Sequence, residues 1–153
     1  MGEMAAGLRS DSELIHHEHR ALSSELSALE FALDSLICYS EVFTDLAARE
    51  RVYRCARHLA RTLPEHCENE EATVLAEIAR LSPELGKFAE EMKRQHRDLQ
   101  QKLTRFCLLI DQVEGSSDIE QAVYEVKERG LEFARSLAAH MEREERKFSS
   151  VLH

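Results

Sequence analysis

Apolar residues recur at alternating steps of four and three along most of this chain of 153 residues. This spacing places successive members on one face of an α-helix and is typical of a helix that packs in a bundle core. The first stripe consists of Ile15, His19, Leu22, Leu26, Leu29, Leu33 and Leu36. One of its core positions is therefore taken by a histidine.

Similar stripes predict four helices that are joined by short turns. We expect helix A from about Asp11 to about Tyr39, helix B from Thr44 or Asp45 to about Ile78, helix C from Pro83 to about Ile110, and helix D from about Asp118 to about Val151. Ser10 and Glu13 have the spacing of a capping box for helix A, and Ser82 is a good N-cap for helix C. Pro64 removes one backbone donor within helix B. We prefer a kink there to two helices that meet at the proline, because the apolar phase is the same on both sides.

Glycine and proline are scarce, with 5 and 2 residues, so that little of the sequence is available for turns. No segment is a clear strand candidate. The expected fold is all-α, an antiparallel up-down-up-down four-helix bundle. A chain of this length is most simply one domain, with the bundle at residues 10–153 and a flexible tail at residues 1–9.

The net charge of −9 argues against a nucleic acid partner, because phosphate binding depends on clustered Lys and Arg. No segment reaches the roughly 18 apolar residues that span a bilayer, and the N-terminus lacks the apolar run of a signal peptide. The cysteines have no Cys-x-x-Cys spacing and are typical of reduced thiols. They are Cys38, Cys55, Cys67 and Cys107. We therefore expect a cytoplasmic protein that has no membrane partner.

Two His-x-x-x-Glu pairs, one in helix B and one in helix D, provide the main indication of function. The spacing places an imidazole and a carboxylate on one helix face, one turn apart. In an antiparallel bundle, both pairs and one histidine from each of the other two helices lie roughly 12 to 20 Å from the same end, at about 1.5 Å per residue. The predicted layer consists of His19, His66, Glu70, His96, His140 and Glu144.

Four imidazoles and two carboxylates in one apolar layer favour a metal site, because burying them without compensation costs several kcal/mol. A purely hydrogen-bonded polar layer is the alternative interpretation. The set is too large for one tetrahedral zinc, whereas imidazole and carboxylate ligands suit iron, and two bridging carboxylates would hold two metals close together. Ferritin-like di-iron bundles need two Glu-x-x-His pairs, and here only Glu13 with His16 matches that spacing.

The order and spacing of four short motifs resemble the hemerythrin-like (HHE cation-binding) family of four-helix, non-haem di-iron proteins. The motifs are Glu18-His19-Arg20-Ala21-Leu22, His66-x-x-x-Glu70-Glu71, His96 and His140-x-x-x-Glu144-Glu145. The resemblance implies that Glu70 and Glu144 bridge two irons and that the terminal ligands are His19, His66, His96 and His140. It implies an oxo- or hydroxo-bridged iron pair, although the ligand types also accept zinc or manganese. His16, one turn before His19, is the alternative or additional ligand from helix A.

The set of four histidines and two glutamates looks more like the bacterial iron-centre repair proteins and iron- or oxygen-sensing relatives than like oxygen-carrying hemerythrins. The oxygen carriers have a second histidine where this chain has Gln100, and an aspartate where it has Glu144. The chain has no Cys-Cys pair such as the repair proteins carry in their N-terminal domain. Val74-Leu75-Ala76 and Phe148-Ser149-Ser150 replace the Leu-Phe-Pro that commonly follows the family's helix B and D motifs.

The resemblance implies a protein that binds or senses O2, NO or peroxide, or that handles iron. A di-iron oxidoreductase acting on peroxide or NO is ranked lower, because no additional acid or base group is identifiable in the sequence. The third hypothesis is a metal-free helical interaction module that keeps the family fold. The sequence identifies no protein partner.

Overall fold

The computed structural model describes residues 2–36 and 46–152, and within these ranges all regular secondary structure is α-helical. The helices are α1 (Gly2–Asp34), α2 (Leu46–Ala72), α3 (Val74–Ala79), α4 (Pro83–Gln112) and α5 (Ile119–Leu152). The all-α prediction is confirmed. The predicted end of helix A near Tyr39, the predicted start of helix B at Thr44 or Asp45, and Cys38 lie outside the described residues.

The four long helices pack as a closed ring in which α1 contacts α2 and α5, and α4 contacts the same two helices. At one end of this bundle, Leu8 and Ile15 from the start of α1 share an apolar cluster with Phe88 from the start of α4 and Phe148 from the end of α5. Successive long helices therefore run in opposite directions, as predicted for an up-down-up-down bundle.

Helix α1 begins earlier than the sequence analysis predicts, at Gly2 rather than near Asp11. The reason is the apolar stripe, which extends one heptad further back because Leu8 lies seven residues before Ile15 and is buried. Residues 2–9, expected to form a tail, are thus helical. Ser10 and Glu13 lie inside the helix and do not form its N-terminal capping box.

Helix α2 runs through Pro64, so that two helices do not meet at the proline, and an unpredicted break lies at Thr73. Pro64 and Ala60 are both exposed, so that water can bond the Ala60 carbonyl that loses its helical partner. The Thr73 hydroxyl donates to the Asn69 carbonyl at 2.7 Å, and the Thr73 backbone has the non-helical angles φ −115° and ψ −91°. A threonine hydroxyl that bonds the preceding turn in this way competes with the helical pattern.

The predicted starts of α4 and α5 are confirmed. The backbone N–H of Leu85 donates to Ser82 Oγ at 3.1 Å, with Pro83 in the first turn. The backbone N–H of Gln121 donates to Asp118 Oδ1 at 3.1 Å in the same way. Within the described ranges, no helix carries an apolar run long enough to cross a bilayer.

The bundle core consists of two apolar clusters. The larger one extends to Cys67 on α2 and Met141 on α5, whereas the smaller one contains Ile15 on α1, Met92 on α4 and Phe148 on α5. Between the two clusters, each long helix carries one or two polar residues on its inner face. The fold therefore holds a polar layer between two apolar layers.

Candidate metal centre

Six side chains form the polar layer, and they are the only polar or charged residues that are buried in the part of the chain that the structure describes. They are His19, His66, Glu70, His96, His140 and Glu144. These are the six donors that the sequence analysis predicts. Both carboxylates are completely buried, with 0% of Glu70 and 0% of Glu144 exposed. Each long helix contributes at least one donor, so that packing of the whole bundle assembles the layer.

Position 1 is the space in front of His19 and His66, on the α1–α2 side of the layer. His19 Nε2 lies 3.1 Å from Glu70 Oε2 and 3.3 Å from Glu144 Oε1. His66 Nε2 lies 3.3 Å from Glu70 Oε2. The two imidazole rings meet edge to face, with centroids 4.8 Å apart. Two imidazole nitrogens and an oxygen from each carboxylate thus face one point.

Position 2 is the space in front of His96 and His140, on the α4–α5 side. His96 Nε2 lies 3.0 Å from Glu70 Oε1 and 3.5 Å from Glu144 Oε2. His140 Nε2 lies 3.0 Å from Glu144 Oε1. These two rings also meet edge to face, with centroids 4.8 Å apart. The second position thus has the same kinds of donor as the first.

The two positions share Glu70 and Glu144. Within each group of four donor residues, the candidate ligand atoms lie within 4.8 Å of one another, which is close enough to surround one metal ion. Glu70 presents Oε2 to position 1 and Oε1 to position 2, as a carboxylate that bridges two ions does, whereas Glu144 Oε1 lies near one histidine of each position. Each of the two donor groups could therefore hold one cation, with Glu70 and Glu144 common to both groups.

Hydrogen bonding within the protein does not satisfy this layer. Among the described residues, seven buried side-chain nitrogen or oxygen atoms have no hydrogen-bond partner, and six of them belong to the layer. They are Nε2 of His66, His96 and His140, Oε1 of Glu70, and both carboxylate oxygens of Glu144. Buried polar atoms without partners are costly, and a bound cation would satisfy all of them together. The donor set fits a metal pair.

Each histidine of the layer is held from outside through its Nδ1 atom. His19 donates to Glu145 at 2.8 Å, and His66 donates to Glu18 at 2.9 Å. His96 donates to Glu71 at 2.9 Å, and His140 donates to the amide oxygen of Gln95 at 2.7 Å. An imidazole that donates outward from Nδ1 presents Nε2 inward as the ligand atom. The four outer residues therefore orient the four rings toward the two positions.

The protonation of the layer without metal follows from the charges that it buries. Burial lowers the pKa of His19, but the adjacent carboxylates of Glu144 and Glu70 outweigh it and raise that pKa to about 10. Burial acts on His96 in the same direction, and contacts with Cys67, Glu144 and Glu70 raise its pKa far above the usual value. Burial raises the pKa of Glu70, yet its contacts with Glu144 and the histidines hold it well below its usual value. Metal binding must displace the protons that these histidines hold.

His16, the alternative or additional helix A ligand, is not brought into the layer. Its side chain is 53% exposed, and its Nδ1 atom lies 3.0 Å from Glu145 Oε1. The same oxygen accepts the hydrogen bond from His19. His16 therefore contacts the outer side of position 1, and the donor from α1 in the layer is His19.

The outer residues were not predicted from the sequence, although each one is adjacent to a predicted donor. Glu18 and Gln95 precede His19 and His96, whereas Glu71 and Glu145 follow the two buried glutamates. The doubled glutamate after each His-x-x-x pair was the available signal. Each second glutamate binds a histidine of a neighbouring helix, and spacing along one helix does not predict that partner.

The chain matches the model of the hemerythrin HHE cation-binding domain over residues 10–152. No curated protein and no solved structure matches the chain significantly. The match covers α2, α4 and α5 completely, α1 from residue 10 onward, and every donor of the layer. The chain therefore belongs to the hemerythrin HHE cation-binding domain family.

Proposed function

We propose that this protein binds two iron ions in a non-haem centre and uses them to bind or sense O2, NO or peroxide, or to handle iron. The observation that carries the proposal is the pair of four-residue donor groups that share Glu70 and Glu144. Imidazole nitrogen and carboxylate oxygen are ligand types that suit iron. Bound iron would supply redox chemistry and coordination sites that the protein does not fill.

The role of the protein in this function is to hold and shield the centre. Four helices carry the inner donors, and the outer hydrogen bonds fix the direction of each imidazole. Met92 and Leu99, one turn on either side of His96, are buried and exclude water from the layer. Exclusion of water strengthens the electrostatic attraction between the carboxylates and a cation.

Iron reconstitution tests the proposal. After anaerobic loading with Fe²⁺ and removal of excess metal, we expect about two irons per chain, one for each four-donor position. Aerobic oxidation should then give the absorption band of an oxo-bridged iron pair. Wild-type protein that remains iron-free after this treatment would contradict the proposal and favour the metal-free helical module.

Glu70→Gln tests the sharing of one carboxylate by both positions. The amide keeps the size of the side chain but removes its charge and one oxygen, so that we expect iron binding at both positions to weaken. Glu68→Gln is the matched control, because Glu68 is exposed on the same helix and should leave two irons in place. Circular dichroism checks that both variants are folded. A Glu70→Gln variant that retains two irons at wild-type affinity would contradict the shared role.

A second candidate function is oxidoreduction of peroxide or NO, and one observation favours it. His19, Glu145 and the exposed His16 form a hydrogen-bonded chain from the layer to the surface. Two-electron reduction of hydrogen peroxide to water consumes two protons, and such a chain could deliver them. Catalytic turnover of peroxide or NO by the reconstituted protein with an added electron donor would support this candidate, whereas stoichiometric binding alone would count against it.

A further inference from the structure

The α1–α2 half and the α4–α5 half of the centre repeat the same sequence pattern. Glu18-His19-Arg20-x-Leu22 matches Gln95-His96-Arg97-x-Leu99, and His66-x-Glu68-x-Glu70-Glu71 matches His140-x-Glu142-x-Glu144-Glu145. The geometry repeats as well. The two imidazole pairs have the same centroid separation of 4.8 Å, with interplanar angles of 64° and 65°. Because the inner donors of the two halves are alike, a difference between the two metal positions is expected to come from the residues around those donors.

One outer residue breaks the repeat. Both histidines of position 1 donate to carboxylates, His19 to Glu145 and His66 to Glu18. At position 2, His96 donates to the carboxylate of Glu71, but His140 donates to Gln95, which matches Glu18 in the repeat. A carboxylate acceptor makes an imidazole a stronger metal ligand than a neutral amide does. The outer hydrogen bonds thus favour metal at position 1 over position 2.

The solvent side of position 2 also distinguishes the two halves. A surface cavity of about 360 Å³ between α4 and α5 is lined in part by Gln95, His140 and Arg143. Ala139 also lines it, and Glu65 is its counterpart in the α1–α2 half. The small alanine side chain leaves room next to His140. The cavity therefore lies against the outer side of His140, the histidine that Gln95 orients.

We propose that the two metal positions are inequivalent, with Gln95 making position 2 the weaker and exchangeable one, next to the α4–α5 cavity. This inference rests on the proposed two-metal function. During loading, metal should fill position 1 before position 2. During removal, it should leave position 2 before position 1. The amide of Gln95 acts through His140 and is a positioning residue, not a ligand.

Anaerobic titration with Fe²⁺ against a chromophoric chelator tests the inference, because it resolves two binding steps. Gln95→Glu gives His140 a carboxylate acceptor, and we expect the weaker step to tighten about 10-fold or more. Glu18→Gln removes the matching acceptor from His66, and we expect the tighter step to weaken about 10- to 100-fold. Gln101→Glu is the control, since it adds the same charge to the exposed face of the same helix and should change neither step by more than about 2-fold.

A structural measurement locates the first ion. In crystals prepared with one equivalent of Co²⁺, anomalous scattering should place the ion beside His19 and His66 in the wild type, and its share at position 2 should rise in Glu18→Gln. Two irons bound with both steps unchanged in Gln95→Glu and Glu18→Gln would overturn the inference and leave the proposed function intact. Wild-type protein that binds no iron would overturn both.

Discussion

At the scale of single residues, the buried carboxylates explain why the layer needs cations of some kind. Glu70 and Glu144 have no exposed surface, and an isolated carboxylate in such surroundings is strongly disfavoured. Without metal, the protonated imidazoles of His19 and His96 supply the positive charge, which is why their pKa values are raised. Metal ions can take over this role with a higher charge and more donor contacts.

A second pair of acids, outside the centre, gives a prediction about pH. Burial and a hydrogen bond with Asp11 raise the pKa of Glu77 from 4.5 to about 6. Since the folded state binds this proton more tightly than the unfolded state, the stabilisation is complete below about pH 4.5 and is lost as the pH rises through about 6. We therefore expect Glu77→Gln to raise the thermal midpoint at pH 7.5 and to have little effect at pH 4.5.

Thermal unfolding followed by circular dichroism at these two pH values checks the Glu77 prediction. Glu68→Gln, on the exposed face of α2, is the control and should shift the midpoint by a similar small amount at both values. Equal shifts of the Glu77→Gln midpoint at pH 4.5 and pH 7.5 would show that the Asp11 contact does not favour the protonated acid.

The sequence predicts the inner donors well because each one lies on an apolar helical stripe, where spacing alone determines the face. It predicts the outer residues poorly for a geometric reason. Glu71 is turned by about 100° from Glu70 along the same helix, and it reaches His96 of α4 rather than His66 of its own helix. Which neighbour it meets depends on how the helices are arranged around the bundle. The choice between His16 and His19 also required packing, because both lie on neighbouring faces.

At the scale of helices, the predicted starts of α4 and α5 agree with the structure, and capping by Ser82 was sufficient to predict the start of α4. The break at Thr73 was missed because the apolar phase continues across it, with Val74 and Ile78 still buried. A hydroxyl bond to the preceding turn interrupts the helix without changing that phase. Periodicity therefore predicts which side of a helix faces the core more reliably than it predicts where a helix stops.

At Gly130, close packing rather than helix propensity determines the effect of adding a side chain. A Cβ atom at this position would lie 2.6 Å from Leu33 Cδ1 of α1 and 3.0 Å from two ring atoms of Phe106 of α4. Both side chains are fully buried, so that they have little room to move. Overpacking of a core costs about 1–3 kcal/mol, more than the gain of about 1 kcal/mol in helix propensity. We expect Gly130→Ala to destabilise the fold by a net amount of up to about 2 kcal/mol.

Gly86→Ala is the matched control for Gly130→Ala, since it is also a helical glycine. A Cβ atom there would meet only the Ala79 carbonyl oxygen, at an ordinary distance of 3.6 Å. Denaturant unfolding should show that this variant is as stable as the wild type or more stable by up to about 1 kcal/mol. Equal effects of the two substitutions would mean that close packing at Gly130 does not limit stability.

At the scale of the whole molecule, the centre connects all four long helices. The inner donors come from α1, α2, α4 and α5, and the outer hydrogen bonds cross between helices at every histidine. The unfolded chain has no such preformed set of donors. Metal binding is therefore linked to folding of the bundle as a unit.

Metal loading should raise the stability of the entire bundle. At free Fe²⁺ about 100-fold above the dissociation constant, one site adds about 2.7 kcal/mol to the free energy of unfolding. For a chain of this size, that corresponds to an increase of about 5–10 °C in the thermal midpoint. Anaerobic melts with and without Fe²⁺ measure the shift, which Glu68→Gln should keep and Glu70→Gln should largely lose. Amide hydrogen exchange should slow near the layer in all four long helices together. Protection of only two helices would mean that donors from only those two hold the metal pair.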